Sequence, residues 1–198
     1  DMSVFDVLSY PNLFHNLKAA IKDACSGKDN QNLNIYYEDT QISPKEMLEI
    51  IKNKEFSRFP ENMAGAAREA YETLLHTGDG QLCDVIIDRA ALDAIYAAGE
   101  AAKDSIIKEY AESVVAIADI KIAVRSQKTA KTIEFMKRAM APCKSINVDQ
   151  LAKAAAAGME AVTEYLSGTA YAEGGQAIAE SSSAFERWCD NRMMQAMQ

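Results

Sequence analysis

Few groups in this chain could do chemistry near neutral pH. His15 and His76 are its two imidazoles, and neither stands beside a serine or cysteine in a nucleophile motif such as GxSxG. Glu69, Glu72 and His76 recur at i, i+3 and i+7, so one helical face could offer them to a metal ion, as a metal-dependent helical hydrolase would require. A di-iron bundle needs Glu-x-x-His on two helices, and this chain has none. The plainer reading is a solvated face, with His76 close to a helix C-terminus where positive charge is favoured. Asp84 and Asp88, at i, i+4 ahead of Arg89, could pair as acid and base, but acidic residues in the first turns of a helix simply complement its dipole. Gly78-Asp79-Gly80 and Gly174-Gly175 lack the Lys and Ser/Thr of a phosphate loop and read as turns. The residues therefore nominate no catalytic, cofactor-binding or metal-binding group.

Cys25, Cys83, Cys143 and Cys189 form no CxxC pair, which argues against structural zinc and for reduced thiols acting as small hydrophobes. Met193, Met194 and Met197 beside Trp188, and Met136 with Met140, fall at helical spacing and suit packing of a core or a domain boundary. The formal net charge of −8 disfavours phosphate backbones, and no stretch is read as a basic patch, so nucleic acid is not expected as a partner. No run reaches the roughly 18 apolar residues of a membrane span, and no secretory signal opens the sequence.

These groups must be positioned by helices. Alanine occurs 33 times and valine 8 times among the 198 residues, a ratio that favours helix over strand. Pro11, Pro44 and Pro60 stand where helices could begin. Ser43-Pro44-Lys45-Glu46 is a capping box, and Ser181-Ser182-Ser183 before Glu186 opens a final helix. Gly27 and Gly78 read as stops. The signals predict helices over 11–26, 44–53, 60–77, 80–98, 103–128, 131–141, 148–157, 159–167 and 183–197, with 168–175 a loop. Leu33–Tyr37 has strand character but nothing to pair with, and reads as linker. Over 103–128, Ile106, Ile107, Tyr110, Val114, Ile117 and Val124 share an apolar side, leaving Lys108, Glu109 and Glu112 opposite. The fold class is all-α.

One internal repeat is visible. Asn16-Leu17-Lys18-Ala19-Ala20-Ile21-Lys22 and Asp119-Ile120-Lys121-Ile122-Ala123-Val124-Arg125 match at an offset of 103, with six of the seven pairs identical or conservative. The helices 11–26 and 103–128 should therefore hold equivalent places in two related bundles.

The segment Leu8-Ser9-Tyr10-Pro11-Asn12-Leu13-Phe14-His15-Asn16-Leu17-Lys18 resembles the motif that closes the first helical domain in the C-subunit family of V-type and A-type rotary ATPases, which includes the eukaryotic d-type relative. Ala118 to Arg125 is similar to that family's second copy, in which an acidic or amide residue precedes an aliphatic and a basic one. Asp88-Arg89, followed by apolar positions up to Tyr96, fits the start of its middle domain, so the resemblance extends over nearly the whole chain.

The resemblance implies irregular helical bundles with an internal pseudo-repeat, in a longer protein of three similar domains arranged as a funnel. Residues 1–28 would end the first domain, 29–135 form the middle one and 136–198 begin the third. It implies a central-stalk rotor protein, cytoplasmic and peripheral to the membrane. Its partners would be the membrane rotor ring and the central axle subunits, and it would pass torque coupled to ion transport. Catalysis, cofactors and metals are not implied, and no residue is assigned to a partner contact. The rival readings are a generic helical scaffold and the hydrolase of Glu69, Glu72 and His76. As a piece of such a funnel, the chain is expected to leave open the apolar faces of 11–26 (Leu13, Leu17, Ile21) and 183–197 (Phe185, Trp188, Met193), and to close them by packing against each other or by self-association.

Overall fold

The computed structural model describes residues 3–26 and 36–197. The described residues hold ten α-helices and no strand: α1 Ser3–Ser26, α2 Pro44–Lys52, α3 Glu61–Thr77, α4 Gly80–Ala101, α5 Ser105–Lys128, α6 Ile133–Ala139, α7 Val148–Ala157, α8 Met159–Ser167, α9 Ala172–Glu180 and α10 Ser182–Ala196. The fold is all-α. Of the linker read over Leu33–Tyr37, residues 33–35 lie outside the described residues, as does the stop at Gly27.

The helix starts follow the caps. Ser43 Oγ accepts the Glu46 N–H at 3.2 Å with Pro44 at the first helical position, and Ser181 Oγ accepts the Ala184 N–H at 3.0 Å. Gly78 ends α3 in the left-handed region, at φ 69°. Pro11 departs from its expected place and lies inside α1. Its missing N–H removes one helical bond, which the burial of Val7, Leu13 and Phe14 on either side outweighs.

Two compact units divide the chain: Phe5–Ala94, and Ile95–Gln198 with Asp1–Val4. In the first, Leu13, Phe14, Leu17 and Ile21 of α1 share a core with Met47 and Ile51 of α2, Met63 of α3 and Ile87 of α4. In the second, α5 is the central helix, packed by α6, α7, α8 and α10, while α9 lies against α8 and α10. A central helix is covered on most sides, so the single apolar stripe expected of 103–128 is not what forms. Ala111, Val115, Ala116, Ile117, Ile120, Ala123 and Val124 are all buried, Ile106 is half in solvent, and Glu112 turns inward.

The expected loop at 168–175 is also corrected. Gly174 and Gly175 belong to α9 and are buried. A Cβ on Gly174 would meet the Trp188 ring at 2.7–2.9 Å, and one on Gly175 the Thr163 carbonyl oxygen at 3.2 Å. Two glycines depress helix propensity, and the close approach of neighbouring elements compensates. The apolar faces expected to stay open are closed within their own units: Leu13, Leu17, Ile21 and Phe185 are buried, and Trp188 and Met193 pack against the second core. That removes the reason given for self-association.

The repeat extends beyond the seven residues that announced it. Ser43, the N-cap of α2, corresponds to Asn147, the N-cap of α7, and buried Met47 and Ile51 correspond to buried Leu151 and Ala155 at the same offset of 104. Cys83-Asp84 early in α4 corresponds to Cys189-Asp190 in α10, at an offset of 106, and both thiols are buried. Helices α1 and α5 carry the matched seven residues, and each contributes buried residues to the core of its own unit.

Candidate functional site

Each copy of the repeat opens on a buried polar side chain that holds a neighbouring segment of its own unit. Asn16 is fully buried. Its Oδ1 accepts the Tyr37 N–H at 2.8 Å, and its Nδ2 donates to the Tyr37 carbonyl at 2.8 Å and to Thr40 Oγ1 at 3.3 Å. Asp119, also fully buried, accepts the Ala141 N–H at 2.9 Å on Oδ1 and faces the Cys143 thiol at 3.9 Å on Oδ2. Asn16 fastens the segment leading into α2 onto α1, and Asp119 fastens the segment leading into α7 onto α5, where it satisfies the N–H of buried Ala141.

Two turns before Asp119, Glu112 adds a second fastening to that segment. It accepts the Lys144 N–H at 2.9 Å, the Ser145 N–H at 3.4 Å and the Ser145 hydroxyl at 2.7 Å, and that hydroxyl also meets Tyr171 Oη at 2.9 Å. Burial works to raise the Glu112 pKa, yet the donors from Ser145, Lys144 and Cys143 together leave it below the usual glutamate value. Cys143 moves the opposite way: burial first, then Glu112, push its thiol up to about 12. Burial likewise lifts Cys83 and Cys189 to about 11 each, so these thiols are poor nucleophiles.

The sequence candidates are placed differently from a catalytic site. Glu69, Glu72 and His76 lie on the exposed side of α3, and among the described residues no three His, Cys, Asp or Glu are close enough to hold a metal ion. Asp84 and Asp88 are not merely solvated: they pair with Lys22 at 2.7 Å and Lys18 at 2.9 Å, joining α4 to α1 by two ion pairs one turn apart. Met136 and Met140 are core, as expected, whereas Met194 and Met197 are exposed by 59% and 65%. The expectation that no stretch is basic also needs correction. Lys121, Arg125, Lys128, Lys131, Lys137 and Arg138 follow one another over 121–138 with Glu134 as the single acidic residue between them. Sequence reading missed Glu112 and Asp119 as fastenings, because their partners lie 22 to 33 residues away.

A family model described as the ATP synthase (C/AC39) subunit matches residues 1–198. The chain belongs to this family. No curated protein and no solved structure matched it. Membership agrees with the resemblance read from Leu8–Lys18 and Ala118–Arg125, and it makes the chain an ATP synthase component of the C/AC39 kind. Such a component is an accessory to the catalytic ones. Among the described residues, no helix is long and apolar enough to cross a membrane.

Proposed function

We propose that this protein belongs to the central stalk of a V-type or A-type ATPase, where it links the membrane rotor ring to the central axle and passes torque coupled to ion transport. The observation that carries the reading is the family match along the whole of 1–198. The twofold recurrence of a buried polar fastening, on α1 and on α5, supports it, because a coupling element must be stiff within each unit. Burial of Asn16 and Asp119 at the roots of the segments before α2 and α7 supplies such stiffness locally.

On this reading the protein performs no chemistry of its own and lies on the cytoplasmic face, held by protein contacts. Division of the chain into helical domains with boundaries after 28 and 135 is a further part of the proposal, separate from its compact units. Affinity purification of the full-length protein from native membranes tests the function. Ring and axle subunits recovered at comparable amounts support it, and recovery of neither overturns it.

A further inference from the structure

The two units treat an equivalent pair of cations differently. In the first, Lys18 and Lys22 of α1 are met by Asp88 and Asp84 of α4 at 2.9 and 2.7 Å. Their counterparts in the second unit are Lys121 and Arg125 of α5, and the counterpart of α4 is α10, which packs on α5. Asp190 stands where Asp84 stands, but the place of Asp88 is taken by Met194. Lys121, Arg125, Glu186 and Asp190 all lie within electrostatic reach of the Cys189 thiol. Even so, among the described residues no carboxylate comes within ion-pair distance of Lys121 or Arg125. One turn further on, Lys128 donates to the Ser182 hydroxyl at 2.9 Å, a bond that neutralises no charge. Beyond Asp190 the described part of α10 carries no acidic residue, and Met194 and Met197 present exposed thioethers there.

We infer that the α5–α10 face of the second unit is a docking surface for an acidic amphipathic helix of a partner protein, whose carboxylates meet Lys121, Arg125 and Lys128 and whose apolar side lies on Met194 and Met197. Charge complementarity selects this occupant: cations on consecutive turns of one helix take carboxylates at the same spacing. Methionine surfaces adapt to a partner helix of varied shape. The inference deepens the proposed function, since it rests on the protein docking on other members of the complex.

The test is fluorescence anisotropy of a labelled amphipathic peptide of leucine and glutamate, titrated with the 198-residue chain. Binding that weakens as salt rises is expected, with about a tenfold loss for Lys121→Glu/Arg125→Glu and a comparable loss for Met194→Ser/Met197→Ser. Lys18→Glu should leave binding unchanged, and circular dichroism verifies that each variant keeps its helices. Equal binding of a leucine–lysine peptide, tighter binding of phosphatidylserine vesicles or double-stranded DNA, or indifference to the charge reversal would each overturn the surface. Copurification separates this from the role itself. If the full-length protein and its Lys121→Glu/Arg125→Glu form recover ATPase subunits equally, the surface is wrong and the stalk role stands. If the peptide binds as expected while the unaltered protein recovers none, the surface stands and the role falls.

Discussion

Asn16 and Asp119, 103 positions apart, hold corresponding segments by complementary means: the amide meets both the N–H and the carbonyl of Tyr37, whereas the carboxylate meets donors, among them the Ala141 N–H and the Cys143 thiol. The exchange of amide for acid is matched by an exchange of what it faces. Replacing Asn16 by Leu leaves both Tyr37 backbone groups without their side-chain partner, and Asp119→Ala does the same to the Ala141 N–H. Asp119→Ala should cost about 2–3 kcal/mol in urea unfolding, the penalty of stranding the buried Ala141 N–H, and Asn16→Leu about 1 kcal/mol, because exposed Tyr37 can turn to water. Asp119→Asn, which keeps an acceptor for Ala141, should cost clearly less. Equal losses for Asp119→Ala and Asp119→Asn would show that the hydrogen bond is not what matters.

Gly174→Ala places a methyl against the Trp188 ring and should lower stability by about 1–3 kcal/mol. Gly65→Ala, on the exposed side of α3 with nothing near its Cβ, should raise it by about 0.5–1 kcal/mol. A pair of thermal melts decides the matter, and a neutral Gly174→Ala would mean that Trp188 moves aside freely.

Caps at Ser43 and Ser181 and the stop at Gly78 were legible in the sequence because each depends on groups within three or four residues. Helix α9 was not, since its glycines are tolerated only through Trp188 and Thr163, contacts made after folding. Pro11 misled for the same reason: burial around it overrides the local rule. Glu112 read as surface because helical spacing assigns a face to α5, whereas a central helix has partners on several sides. The repeat was visible as a pattern of residues, but the task of Asn16 and Asp119 was hidden in segments more than 20 residues away.

Acid should loosen the segment 140–146 through Glu112. Its pKa in the folded protein lies below the ordinary value of 4.5, so the carboxylate contributes stability that is present above that pH and is lost as pH falls below it. Across that window, Glu112→Gln should be less stable than the unaltered protein near neutrality and show a shallower decline in acid. Urea midpoints measured at several pH values test this, and parallel declines for both proteins would remove Glu112 from the account.

Native thiol reactivity should be low. With Cys83 and Cys189 near 11 and Cys143 near 12, little thiolate exists at mildly alkaline pH, and all three are tied to burial. Cys25, raised by burial but only partly covered, should react first with a chromogenic disulfide, the others following on unfolding. Cys143 is partly covered too, so its early labelling would mean that Glu112 and Asp119 do not hold its thiol protonated.

The central claim is that this ATP synthase component turns with the rotor, and site-directed cross-linking in the assembled, membrane-bound enzyme tests it most directly. A covalent link from this protein to the membrane ring or to the axle joins parts that move together, so ATP hydrolysis and ion transport should continue. A link to a stationary part of the complex should stop both. Loss of turnover on cross-linking to the ring, or unimpaired turnover on cross-linking to the stator, would contradict the account.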